Sequence, residues 1–136
     1  MICRFHSQIT QIFIIIPLFV TNMKVQLEPK IVSKPWGKEL WYIVNEDYAL
    51  KKLCINKGHR FSLQYHNEKE ETWYILQGKL IVTYENEQYE ATPGQCIHVP
   101  PKTIHRLESL DYSEIIEVST IQLEDVVRLE DDYHRK

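Results

Sequence analysis

Short apolar segments separated by turn-forming residues run through most of the chain, and this pattern limits its fold more than any other feature. Residues rich in Ile, Val, Tyr, Trp and Leu favour strands, whereas clusters of Asn, Gly, Pro and Asp favour turns. Regularly spaced short strands predict an all-β sandwich or small barrel. The segments that predict strands are 39–44, 48–55, 60–65, 71–76, 79–84, 95–99, 105–108 and 114–119.

A different pattern appears near the C-terminus, at 123–133. Val126, Val127 and Leu129 lie there among acidic residues, without the alternation of a strand. This stretch is the one segment of the chain that could form a helix.

A chain of 136 residues has the length of a single domain. Residues 1–22 are interpreted as an extension or a mis-assigned start, and 23–136 as the domain, because compact-domain patterning begins after Met23. A secretory signal is the alternative, since Arg4 precedes an apolar run at 12–20. No small-residue cleavage site follows that run, and a bilayer span needs about 20 apolar residues.

Charge and cysteine content restrict the partners and the compartment. The formal net charge is -3, which argues against binding to polyanionic nucleic acid and favours a small molecule or a protein. No nucleic acid or membrane partner is expected. Cys3, Cys54 and Cys96 are an odd number without a CxxC pair, so neither a disulfide framework nor a cysteine zinc site is indicated. A reducing compartment, the cytoplasm, is the expected location.

One predicted strand has a wholly polar face. Alternation places Arg60, Ser62, Gln64 and His66 on the same side of the strand. Inward positions of small barrels are usually apolar, so this face indicates either a lumen that holds a ligand or metal, or an ordinary solvent-exposed surface.

Two further residues favour the metal. Glu71 opens the next predicted strand, and a second histidine, His105, opens a later one. Two imidazoles, a carboxylate and an amide oxygen suit a divalent first-row metal. The candidate metal ligands are Gln64, His66, Glu71 and His105.

These candidates belong to a longer spacing pattern. Its first half consists of Gly58, Gln64, His66, Glu71 and Gly78, and its second half of Gly94, Pro100 and His105. The pattern resembles the two motifs of the cupin superfamily, with Gln64 in the place of the usual first histidine and Lys102 in the place of a glycine. The resemblance implies a double-stranded β-helix, or jelly-roll, barrel with a short C-terminal segment.

A narrower resemblance rests on the segments 34–37, 61–66, 71–73, 105–108, 116–118 and 127–133. They are similar to the cupin domain of type II mannose-6-phosphate isomerases, which is often fused to a mannose-1-phosphate guanylyltransferase. The resemblance implies interconversion of mannose 6-phosphate and fructose 6-phosphate by a homodimer with one divalent metal. Zinc is the favoured ion, with cobalt, manganese and iron as alternatives. The chain is too short for the transferase as well, and no Gly-rich nucleotide loop occurs.

The chain departs from that family after the ligand histidine. Lys69 stands where the family has an arginine, so a single ammonium group replaces a guanidinium that can bind two phosphate oxygens at once. The metal site is unaffected, but the substrate is left open. Two alternatives therefore stand beside the isomerase: a regulatory cupin that binds metal and phosphosugar without turnover, and an Fe(II) oxygenase.

An isomerase needs a base to move a proton between C2 and C1 of the sugar. His98 and Lys69 are the candidate bases, although a surface histidine and a solvated lysine would look the same in the sequence. Arg60 is a candidate for holding the phosphate or, equally, a rim salt bridge. The three tryptophans, Trp36, Trp41 and Trp73, are expected in the core rather than beneath a sugar.

Overall fold

The computed structural model describes residues 28–136, and its regular secondary structure is entirely β. In this part of the chain no helix is long and apolar enough to cross a membrane. The strands are β1 (Lys30–Lys34), β2 (Gly37–Val44), β3 (Ala49–Ile55), β4 (Leu63–Tyr65), β5 (Glu71–Gln77), β6 (Leu80–Tyr84), β7 (Glu87–Ala91), β8 (Cys96–Val99), β9 (His105–Ser109), β10 (Ser113–Ser119) and β11 (Val127–Glu130). The predicted extension, 1–22, lies outside the described residues.

The strands form two antiparallel sheets. One sheet has the order β1-β2-β3-β10-β5-β8, and the other has the order β11-β4-β9-β6-β7. Neighbouring strands in each sheet are mostly far apart in sequence, as in a jelly roll. The all-β prediction is confirmed, and each predicted strand segment overlaps an observed strand.

Three strands, β1, β7 and β11, were not predicted. All three lie at sheet edges, and four of the five residues of β7 are exposed. Edge strands need few apolar side chains, so they lack the apolar run on which the sequence argument depends. Strand β4 is also shorter than predicted, because Arg60 forms only an isolated bridge with Glu108.

The C-terminal stretch does not form a helix. Residues Val127–Glu130 form β11, which pairs with β4 at the edge of the second sheet. Strand β4 offers unpaired backbone groups there, and satisfying them outweighs the weak helical pattern of a segment with few apolar residues.

The apolar core fills one end of the space between the sheets. Its largest fully buried members come from both sheets and are exposed by 1% or less: Leu53, Ile55, Trp73, Ile75, Leu80, Leu107 and Ile115. The motif residue Gly78 closes the turn beside this core with φ 95°, and a Cβ there would lie 2.6 Å from the Tyr112 carbonyl oxygen. Only glycine fits this position, which keeps β5 and β6 packed against the start of β10.

Candidate metal centre and its cavity

Three of the four predicted ligands meet at the other end of the interior. His66 follows β4, while Glu71 and His105 are the first residues of β5 and β9. The Oε1 atom of Glu71 lies 3.4 Å from Nε2 of His66 and 3.2 Å from Nε2 of His105. One ligand atom from each residue lies within 4.8 Å of the others, and all three side chains are buried. The structure therefore assembles a His–Glu–His group.

Backbone carbonyl groups orient both imidazoles. Nδ1 of His105 donates to the Thr103 oxygen at 2.8 Å, and Nδ1 of His66 donates to the Asp125 oxygen. Since a carbonyl oxygen can only accept, each Nδ1 carries the proton and each Nε2 presents a lone pair. Within residues 28–136, Nε2 of His66 is buried without a hydrogen-bond partner. Two lone pairs facing a carboxylate repel one another, so the donor set fits a divalent cation between them.

Gln64 borders the group rather than completing it. Its side-chain nitrogen lies 3.4 Å from Nε2 of His105, and its oxygen accepts a hydrogen bond from Ser62 Oγ at 2.6 Å. The two strands place Gln64 directly opposite His105. A half-turn of the amide would present the oxygen to the cation, as ligation requires.

Lys69 and Glu71 are a buried ion pair, and Lys69 also donates to Glu117 at 2.9 Å. Burial favours a lower pKa for Lys69, but Glu117 and Glu71 outweigh it and raise the pKa above its ordinary value. Burial likewise favours a higher pKa for Glu71, whereas the ammonium group of Lys69 holds it well below its ordinary value. Glu71 is therefore an ionised carboxylate, the form that a metal ligand needs.

Further ion pairs extend this one along a wall of the cavity. Lys51 Nζ lies 3.7 Å from Glu117 and 3.8 Å from Glu39, and Lys34 Nζ lies 3.3 Å from Glu39. We call the whole row the charge ladder; its members are Lys34, Glu39, Lys51, Glu117, Lys69 and Glu71. The indole nitrogen of Trp41 donates to Glu39 at 2.6 Å and so braces its outer part.

The C-terminal segment contributes residues to the opposite wall. Asp125 accepts hydrogen bonds from the backbone nitrogens of Asn67 at 3.0 Å, Glu68 at 2.6 Å and Lys69 at 2.9 Å. Burial would raise the pKa of Asp125, but these N–H groups lower it to about 2. The carboxylate thus ties this segment to the loop that follows ligand His66. The residues of the segment that line the cavity are Leu123, Glu124, Val126, Arg128 and Arg135.

Two of the predicted catalytic residues lie away from this cavity. Arg60 forms a bidentate pair with Asp132, at 2.6 and 2.9 Å, and does not line the cavity. His98 lies on the outward face of β8, where its ring nitrogens face Thr72 at 3.2 Å and Glu70 at 3.4 Å. The third, Lys69, lines the cavity beside the ligands.

The tryptophans divide between core and cavity. Trp36 and Trp73 are buried, as expected, and Trp73 lies edge-on to the His105 ring with 5.3 Å between centroids. Trp36 also lines the cavity together with the half-buried Trp41.

Comparison with known proteins identifies the family. The family described as mannose-6-phosphate isomerase C-terminal matches residues 21–131. The chain belongs to this family. It is 32% identical over 109 residues to the mannose-1-phosphate guanylyltransferase ManC of Salmonella typhimurium, which covers 76% of this chain but 23% of that relative. It is 29% identical over 109 residues to the alginate biosynthesis protein AlgA of Pseudomonas aeruginosa, again 76% of this chain and 23% of the relative. The chain thus spans less than a quarter of these curated relatives.

Solved structures show the fold. The chain is similar to KdgF from Halomonas sp. with a TM-score of 0.64, 19% identity and coverage of 71% of this chain and 89% of that one. It is similar to an RmlC-like cupin from Shewanella frigidimarina with a TM-score of 0.66, 18% identity and coverage of 76% and 94%. The predicted cupin barrel is confirmed.

One departure from the cupin pattern places a side chain at a backbone conformation that favours glycine. Lys102 stands at the usual glycine of the second motif, and its φ of 66° lies in the left-handed region that side chains disfavour. Its backbone nitrogen donates to the His66 carbonyl oxygen at 2.6 Å, which joins the two motifs. This member of the family keeps the turn in spite of the side chain.

Several cavity residues were missed by the sequence argument. Along β10 the inward positions are Ser113, Ile115, Glu117 and Ser119. The apolar residues Ile116 and Val118 point outward instead. Since hydrophobic alternation normally assigns the apolar phase to the interior, it places Glu117 on the surface. Lys51, Glu39 and Arg128 were missed because they are isolated charged residues with no spacing pattern.

Proposed function

We propose that this chain is a metal-dependent sugar-phosphate isomerase that interconverts mannose 6-phosphate and fructose 6-phosphate. The observation that carries the proposal is the buried His66–Glu71–His105 group in a cavity lined by charged side chains. The family to which the chain belongs and the names of its relatives, which concern mannose phosphates, support it.

His66, Glu71 and His105, with Gln64 after rotation of its amide, would hold the ion. A bound divalent metal supplies Lewis-acid polarisation of the sugar carbonyl and of the neighbouring hydroxyl. Two imidazoles and mixed oxygen ligands favour zinc, with cobalt, manganese and iron as alternatives. Lys69 keeps Glu71 ionised and places a positive charge beside the reacting carbons.

The base for the C2 proton must come from the cavity. His98 faces the other side of its sheet, and Lys69 is held in its charged form. The remaining candidates are the carboxylates that line the cavity: Glu39, Glu117 and Glu124. Glu117 shares the Lys69 ammonium group with Glu71, which connects it directly to the ligand group. We assign the base to Glu117.

The buried His66–Glu71–His105 group also fits a second candidate, a cupin that binds metal and phosphosugar without turnover. Neither base expected from the sequence stands in the cavity in a basic form, and a binding protein needs no base. The two functions share the metal centre and differ only in proton transfer.

The deciding experiment uses the full chain, stripped with a chelator and then loaded with zinc, cobalt, manganese or iron. Mannose 6-phosphate is incubated with each form in heavy water, and the products are analysed by NMR. An isomerase converts the substrate and places deuterium at C2 of the aldose or C1 of the ketose. Tight binding with no conversion and no deuterium, for all four ions, would reject the isomerase and support the binding protein.

We also propose that the chain forms a homodimer through the outer face of the six-stranded sheet. Exposed apolar side chains cluster there, because Tyr74 and Leu76 of β5 lie beside the outward residues of β10, which include Val118. Light scattering should give twice the monomer mass, and Tyr74→Glu should give the monomer. A wild-type monomer at micromolar concentration would refute this proposal without affecting the isomerase.

A further inference from the structure

Positively charged side chains line the cavity, but most of them are neutralised. Lys34 and Lys51 pair with Glu39, Lys69 pairs with Glu71, and Arg135 pairs with Asp131 at 2.6 Å. Among the described residues, no side-chain carboxylate forms a salt bridge with the remaining lining cation, Arg128. Its Nη1 donates to the backbone oxygen of Lys136 at 2.7 Å.

The guanidinium of Arg128 also has an unused donor. Within residues 28–136, its Nε atom is buried and has no hydrogen-bond partner. Burial and the nearby Arg135 lower the pKa of Arg128 by more than Asp131 and Glu124 raise it, so an anion at this position would favour the charged guanidinium. A guanidinium with free donors matches the oxygens of a phosphate in a bidentate manner.

Strand register aims Arg128 toward the metal centre. Arg128 lies opposite Gln64, and Gln64 lies opposite His105. Directly opposed residues in a sheet project from the same face, so these three side chains form one row. Gln64 and Arg128 both line the cavity. The row therefore connects the metal ligands with the unpaired guanidinium.

We propose that Arg128 binds the phosphate group of the sugar phosphate whose carbonyl end lies at the metal centre. This assignment rests on the proposed function and adds the phosphate subsite to it. It moves the phosphate away from Arg60, the residue that the sequence suggested, which is engaged with Asp132 outside the cavity.

The dimensions agree with a six-carbon substrate. Strand spacing of about 4.8 Å places the Arg128 backbone roughly 10 Å from that of His105, two strands away. With bonds of about 1.5 Å, an extended hexose 6-phosphate spans roughly 7 Å between C2 and phosphorus. The side chain of Arg128, which lines the cavity, takes up the difference.

The test compares Arg128→Gln, Arg128→Lys and Arg60→Gln in the zinc-loaded full chain. We expect Arg128→Gln to raise KM for mannose 6-phosphate at least tenfold while its zinc content stays at the wild-type level. Arg128→Lys should raise KM by an intermediate amount, because lysine keeps the charge but lacks the paired donors of a guanidinium. It also serves if the Gln variant fails to fold. A rise in KM for Arg60→Gln instead, or an unchanged KM in both Arg128 variants, would overturn the assignment.

Calorimetry separates this assignment from the proposed isomerase. Zinc-loaded wild type and Arg128→Gln are titrated with mannose 6-phosphate and with unphosphorylated mannose. A phosphate-dependent gain in affinity that Arg128→Gln loses supports the subsite, even if no turnover is seen and the isomerase fails. If wild type turns over but the variants bind mannose 6-phosphate as tightly as wild type does, the subsite is wrong and the isomerase stands.

Discussion

The two ends of the barrel interior are built from the same strands and yet are chemically opposite. On β3 and β10, Ile55 and Ile115 point into the apolar end, whereas Lys51 and Glu117, further along the same face of each strand, point into the charged end. On β5, Ile75 and Glu71 divide in the same way. A strand in this barrel can therefore carry its core and its site on one face.

The two ends therefore have different roles, because one stabilises the fold and the other holds the chemical groups of the site. The apolar end gains free energy by removing side chains from water. The charged end loses hydration and is compensated only by pairing, as in the charge ladder. The two ends should therefore respond in opposite ways to substitution.

His66→Ala and His105→Ala should lose bound metal almost completely, because each removes one of the converging Nε2 atoms. The melting temperature of metal-free His66→Ala should stay near that of the metal-free wild type, whereas His105→Ala should melt lower because the His105 ring packs against Trp73. Elemental analysis of the purified proteins measures the first effect and calorimetry the second. Full metal occupancy in both variants would falsify the site.

Ile115→Ala should have the reverse effect. It removes a fully buried side chain from the apolar end and should cost about 2–5 kcal/mol of unfolding free energy. The folded protein should still bind one metal ion with wild-type affinity. Urea denaturation measures the stability. A large loss of metal affinity in the folded variant would show that the two ends are coupled.

Glu117→Gln should lower both the stability and the activity. Its effect on stability should be smaller than that of the core substitution. It leaves the ammonium groups of Lys69 and Lys51 with one fewer carboxylate partner, at a cost of about 2 kcal/mol in urea denaturation. As the assigned base, it should also lower kcat much more than it changes KM. Glu124→Gln, which removes a more exposed cavity carboxylate, is the matched variant. A kcat loss in Glu124→Gln alone would transfer the role of the base.

Acid should loosen the C-terminal wall before it affects the apolar end. The pKa of Asp125 is about 2 in the fold, below its ordinary 3.8. Its stabilising contribution is therefore complete above about pH 4 and is lost as the pH falls toward 2. Urea midpoints of wild type and Asp125→Asn should differ at pH 6 and converge near pH 2. A difference that is independent of pH would contradict the role given to the carboxylate.

Lys102→Gly should produce the smallest change, a gain of about 0.5–1 kcal/mol, because it removes a side chain from a left-handed backbone position. Thermal melting measures it. Glu85→Gly is the matched control: its φ is 54°, but its carboxylate accepts a hydrogen bond from the Ile104 nitrogen at 3.0 Å, so no gain is expected. Equal gains in both variants would mean that the hydrogen bond contributes nothing.

The sequence predicted well what depends on short spacings. The central strands and the cluster of His66, Glu71 and His105 follow from local alternation and from the intervals between motif residues. Sequence patterns did not predict the contacts between segments that are far apart in the chain. Nothing near Arg128 in the sequence indicates that β11 will pair with β4, and the apolar outward phase of β10 conceals Glu117.

The carbonyl group of Asp125 fixes the ring of His66, although 58 residues separate them in the chain. During synthesis on the ribosome, the four candidate ligands leave the tunnel before the group that aims one of them. A growing chain that has not reached Asp125 therefore carries the candidate ligands without the group that orients His66. The orientation of the whole group is completed only after residue 125 has been added.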